Sequence, residues 1–247
     1  MGCTQVYIDD LIIYRGKDYK VNDKIIIRQP TVGEITDYGE QNFFSMVHML
    51  TNVGADLKWQ LDEVGIDYTK INDYELFYHL CKIYKKEQTQ IIFYDLDLTL
   101  FEWCNYTPTG EDILYDKYND IILDRYAYAV IMEVLRKTYN LKRNNELPGN
   151  EATRLILIED AKDEYEINKN KPYISQLFNL ISTMVNSDGF KHDEVTVFDM
   201  KIGAFMNSVK RIEKIKRAEI LLQSGYSGYG VNLKEIDKKE LDYMGEL

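Results

Sequence analysis

Asp95 and Asp97 are two carboxylates one residue apart, after the apolar run Ile91-Ile92-Phe93-Tyr94 and before Thr99. An apolar strand that ends in such a pair can place one carboxylate as a nucleophile toward phosphorus. The second can then donate a proton to the leaving group. A magnesium ion would offset the phosphate charge in that chemistry, and Thr99 would support the loop. The elements that must position the pair are a strand over Gln90–Tyr94, a turn over Asp95–Asp97 and a second strand over Thr99–Trp103.

The spacing Asp-x-Asp-x-Thr resembles the first motif of haloacid-dehalogenase-type phosphatases. The rest of that family's pattern is missing. Leu98 stands where glycine usually follows the second aspartate, and Val195–Asp199, the nearest later apolar strand, ends in a single acid. No alternation of strands and helices follows, as a doubly wound sheet requires. The segment reads instead as a β-hairpin near residues 90–103 whose acids sit in a turn and face water. A calcium loop starting at Asp95 would need Gly and Glu where Leu100 and Tyr106 stand.

No catalytic residue, metal site or cofactor is expected elsewhere. Phosphate-binding glycine loops and the serine-nucleophile elbow are absent from the sequence. His79 and Cys81 lack a second ligand pair. The Gly225, Gly228 and Gly230 cluster follows a helical segment instead of opening one, so it reads as a hinge and not a phosphate cradle.

Composition narrows the classes further. A chain of 247 residues with 45% hydrophobic and 29% charged residues can bury a core, which argues against wholesale disorder. Thirty basic residues against forty-one acidic give a net charge of −11, the wrong balance for a nucleic-acid coat. No apolar run approaches the roughly eighteen residues that a membrane helix needs. Met1-Gly2-Cys3-Thr4-Gln5-Val6 lacks a secretory start. Three cysteines, Cys3, Cys81 and Cys104, without a CxxC pair, fit a reducing compartment.

The element pattern is α+β and mainly α. A small N-terminal antiparallel β region is expected from Gln5–Ile8, Leu11–Tyr14 and Lys24–Arg28. Thr31-x-x-Glu34 and Asn72-x-x-Glu75 are helix starts. Helices are expected over Glu40–Thr51 and Asp56–Val64. A C-terminal helical bundle follows the hairpin, with helices near 118–139, 150–167, 173–186 and 199–223. A glycine–tyrosine hinge over 224–230 and a short last helix opened by Asp237-x-x-Glu240 complete the pattern. The implied regions are 1–115, 116–223 and 224–247.

The helix over 199–223 is the most informative. Ile202, Phe205, Met206, Val209, Ile212 and Ile215 form one apolar stripe. Lys210, Arg211, Lys214 and Arg217 share another face. Asp199–Arg217 holds six basic residues and two acidic, a net +4, so the rest of the chain carries −15. The face is either a solvated side or a dock for an acidic partner, including the acidic remainder of the chain.

Three segments, Lys24–Ile35, Phe198–Ile212 and Ser227–Leu241, together resemble a family encoded in the tail-gene region of phages and prophages of low-GC Gram-positive bacteria. The resemblance is to tail assembly chaperones. It departs from short members in its N-terminal β region and in the hairpin near residue 95. It implies a non-enzymatic carrier in the host cytoplasm. Such a carrier coats the helical, aggregation-prone tape-measure protein before tube subunits polymerise. The implied partner is thus a protein client, with no nucleic acid and no membrane. The residues it points to are Lys210, Arg211, Lys214 and Arg217 for acidic client groups, with Tyr226, Tyr229, Leu241 and Met244 as a mobile anchor. A structural tail-completion or connector component of the virion is the alternative.

Overall fold

The computed structural model describes residues 6–106, 110–227, 230 and 232–247. Tyr229 therefore lies outside the described residues. The fold is α+β and mainly α, with two small antiparallel sheets among the described residues.

Helix α1 spans Asp10–Tyr14, where the Asp9 carboxylate caps the Leu11 N–H. Strands β1 (Tyr19–Lys20) and β2 (Ile26–Ile27) pair antiparallel, with Tyr19 opposite Ile27. The N-terminal β region is thus smaller than the sequence suggests. Leu11–Tyr14 is helical and Val6–Ile8 is not a strand. Four apolar residues do not fix a period, so the Asp9 cap and burial of Ile13 decide the conformation.

Helix α2 (Val32–Tyr38) opens with the expected capping box: Glu34 N donates to Thr31 Oγ1, and Thr31 N donates to Glu34 Oε2 at 2.7 Å. Helix α3 is Glu40–Thr51. A 3-10 turn over Gly54–Leu57 leads into α4 (Lys58–Glu63), and Asn72 caps α5 (Asp73–Cys81).

The hairpin expected at 90–103 is not there. Lys86–Phe93 forms helix α6, and a 3-10 turn covers Leu98–Leu100. The Lys85 N–H donates to Gln88 Oε1, which starts the helix, and Tyr94 ends it at φ 53°. The sheet begins later. Strands β3 (Glu102–Tyr106), β4 (Glu111–Asp116) and β5 (Ile121–Leu123) form an antiparallel meander. Residues 118–123, expected to be helical, are the β4–β5 turn and β5. The buried Asp116 carboxylate accepts the N–H groups of Tyr118 and Asn119 and fixes that turn.

The helical region follows as α7 (Arg125–Tyr139), α8 (Glu151–Asn168), α9 (Gln176–Val185), a 3-10 turn (Thr196–Asp199), α10 (Ile202–Tyr226) and α11 (Lys238–Leu241). Helix α10 runs through Ser224 and Gly225 to Tyr226, so that part of the expected hinge is helical. Glycine alone does not end a helix, and here Leu233 fills the space beside Gly225.

One cluster of buried side chains runs from Ile8 to Phe205 and draws on both sides of residue 115. Buried Tyr74 ties α5 to the meander. Its hydroxyl accepts from Leu114 N at 2.8 Å and donates to the Leu123 carbonyl. A smaller cluster, including Leu57, Leu61 and Ile158, seats α8 on α4.

Candidate protein-docking site

Helix α9 is held at its start by a carboxylate from another helix. Glu40 accepts the Ser175 hydroxyl at 2.5 Å, Gln176 N at 3.0 Å and Leu177 N at 2.8 Å. Burial raises the Glu40 pKa, but these hydrogen bonds outweigh it and hold the carboxyl below the usual glutamate range. Only Leu177 and Met184 of α9 are buried. The rest of its apolar surface borders several clefts, of which two are the most apolar.

The larger of these two lies between α9 and the stretch Val209–Leu221 of α10 and has a volume of about 520 Å³. Leu180, Met184, Val209, Ile212, Ile220 and Leu221 form its apolar walls, with Glu213, Lys216 and Arg217 also lining it. Ile220 is 65% exposed. The smaller cleft, about 380 Å³, lies against Phe178, Ile181, Val185 and Phe198. Phe178 is 67% exposed.

The apolar stripe of α10 packs as its spacing implies as far as Ile212, whereas Ile215 is only partly buried and outside the core cluster. Ile202 and Phe205 are fully buried, and Met206, Val209 and Ile212 pack against the core. The start of α10 is fastened to the segment before α2. Ile202 N donates to the Pro30 carbonyl at 3.0 Å, and Val32 N donates to the Met200 carbonyl at 2.9 Å. Gly203 leaves room there: a Cβ on it would stand 2.4 Å from Gln29 Oε1 and 3.0 Å from Ile13 Cγ2. Two of the three resembling segments, Lys24–Ile35 and Phe198–Ile212, thus meet in space.

The basic residues of α10 face the chain's own tail. Arg211 Nη1 donates to the carbonyls of Tyr243 at 2.5 Å and Gly245 at 2.9 Å. Lys214 Nζ donates to the Glu246 carbonyl, and Arg217 pairs with Glu240 at 2.8 Å. Lys210 has no acidic partner among the described residues. Burial and nearby Lys142 push its amine pKa down. It borders a polar cavity of about 530 Å³ that Glu246 and Leu247 wall on one side. Leu241 is partly buried, whereas Tyr226 and Met244 are exposed.

Asp95 and Asp97 are turned to different tasks. Asp95 is fully exposed and pairs with Lys86 at 3.0 Å. Asp97 accepts the N–H and the hydroxyl of Thr99 at 2.9 and 2.6 Å, as the cap of a 3-10 turn. They follow a helix and not a strand. Among the described residues no cluster of three or more His, Cys, Asp or Glu side chains could hold a metal ion, and no helix is long and apolar enough to cross a membrane.

The sequence reading identified the cations but not the groove beside them. Leu180 and Met184, four residues apart, mark the α9 wall, and Ile220 and Leu221 extend the α10 wall past Ile212. Glu40 has no sequence signal, because its target is more than a hundred residues away. Comparison with family models, curated proteins and solved structures finds no match to this chain.

Proposed function

We propose that this protein is a non-enzymatic phage tail assembly factor, a chaperone that holds a helical segment of the tape-measure protein in the host cytoplasm before tail-tube polymerisation. The observation that carries the docking reading is the apolar groove between α9 and α10, with Ile220 exposed at its edge. A groove between two helices takes the apolar face of a third, amphipathic helix. Lys216 lines the same groove and suits an acidic residue on that helix's polar side, as does Arg217 when it is released from Glu240. Each large apolar side chain buried there contributes roughly 1.5–3 kcal/mol before the cost of ordering the client. The strongly acidic remainder of the chain keeps loaded complexes apart. The tail-specific part of the proposal rests on the resemblance of the three segments.

Co-expression with a tape-measure protein tests the reading. The expected result is a soluble complex of the two, with this protein absent from purified virions. A fixed copy number in virions and no soluble complex would replace the chaperone by a structural component.

A further inference from the structure

The C-terminal tail is held on α10 by charge and by backbone acceptors, with Leu233 and Leu241 only partly buried. No residue of α11 is buried, and Arg217 and Glu240 are 63% and 41% exposed. Three of the four cations on this face nevertheless find acceptors over Glu240–Glu246. The tail therefore records what the face binds: a short segment that offers a carboxylate at Arg217 and carbonyl oxygens at Arg211 and Lys214.

We propose that the basic face of α10 is a binding surface for an acidic protein segment, and that the chain's own tail is its replaceable occupant. The displacing segment carries carboxylates in place of Glu240 and the Glu246 carbonyl. It also carries one that reaches Lys210, which the tail leaves without an acid. That extra pair gives an outside segment an advantage over the tail, because a partly desolvated amine beside Lys142 gains from a counter-charge. The cavity beside Lys210 and Arg211 has room for such a side chain. Weakly seated terminal elements open locally at low cost, so exchange does not require the core to unfold. That the displacing partner is the tail client rests on the function proposed above. The competition itself belongs to this chain alone.

The test uses the full chain and a fluorescein-labelled peptide of residues 232–247 as probe. A tethered tail competes at an effective concentration of about a millimolar. Glu240→Lys, an exposed change that loosens the tail, is expected to raise peptide affinity several-fold over wild type. Adding Arg217→Glu to Glu240→Lys re-forms the pair within the chain with reversed signs and repels the probe, so affinity falls again. Equal affinity for wild type and Glu240→Lys, or binding to neither, overturns the proposal.

Amide exchange on the unmodified chain gives a second readout that no variant can spoil. Amides of 238–245 are expected to exchange much faster than those around Phe205. Equal protection would show a tail that does not leave. Neither experiment contains the tape-measure protein, so a failed co-purification does not touch them. Their failure in turn leaves the α9–α10 groove as the docking site.

Discussion

Arg217 and Glu240 stand 2.8 Å apart and fasten the last helix to the basic side of α10. An exposed pair of this kind contributes at most about 1 kcal/mol. Glu240→Lys is therefore expected to leave the melting temperature within a few degrees of wild type. It should raise the rate of trypsin cleavage after Lys238 and Lys239. Limited proteolysis followed by mass spectrometry reads this. An unchanged cleavage rate would mean that the pair does not hold the tail.

Tyr74 sits where helix and sheet share one hydroxyl. Tyr74→Phe removes the acceptor for Leu114 N and the donor to the Leu123 carbonyl, both buried. The expected loss is about 1–3 kcal/mol in urea unfolding, because the backbone groups stay buried without a partner. Burial holds the Tyr74 phenol well above its ordinary pKa, so it stays a donor through neutral pH.

Gly203→Ala tests the junction between α10 and the N-terminal segment. Alanine favours a helix over glycine by about 1 kcal/mol. Here its methyl meets Ile13 and the Gln29 side chain, and Gln29 is buried and anchored to the Lys17 carbonyl at 2.9 Å. Overpacking of about 1–3 kcal/mol should win, giving a net loss. Gly149→Ala, with open space around its Cβ, is the control and should be close to neutral.

Glu40 links stability to pH. Its folded pKa lies below the ordinary value of 4.5, so the folded state binds fewer protons than the unfolded one. Its stabilisation is complete above that value and is lost as pH falls through the folded pKa. Glu40→Gln should cost roughly 1 kcal/mol at pH 7. It should also flatten the acid side of the stability curve, as followed by urea midpoints between pH 3 and pH 7. A parallel loss at every pH would show that the ionised carboxylate is not what caps α9.

The helices legible in the sequence are those with local start signals. Thr31 with Glu34, Asn72 and the periodic Glu40–Thr51 run each carry their own boundary. Leu11–Tyr14 and Gln90–Tyr94 were not legible, since short β-branched runs suit strand or helix alike and neighbouring caps decide. The basic face of α10 was visible as a spacing of lysines and arginines. Its occupant was not, because Arg211 and Lys214 bind backbone carbonyls, which every sequence supplies. Residues 224–226 read as part of a hinge for a related reason: Gly225 suggests a break until Leu233 is seen to occupy the space beside it.

Docking of a client helix in the α9–α10 groove is tested most directly by co-purification of the tape-measure protein with groove variants. Ile220→Asp places a charge at the edge of the groove, and Ile167→Asp places one at an equally exposed position on α8. Both variants should fold, as judged by thermal melting. Ile220→Asp should cut recovery of the client about tenfold or more, as expected for about 1.4 kcal/mol or more of lost apolar contact. Ile167→Asp should leave recovery unchanged. Equal recovery with wild type, Ile220→Asp and Ile167→Asp would remove the groove as the docking site.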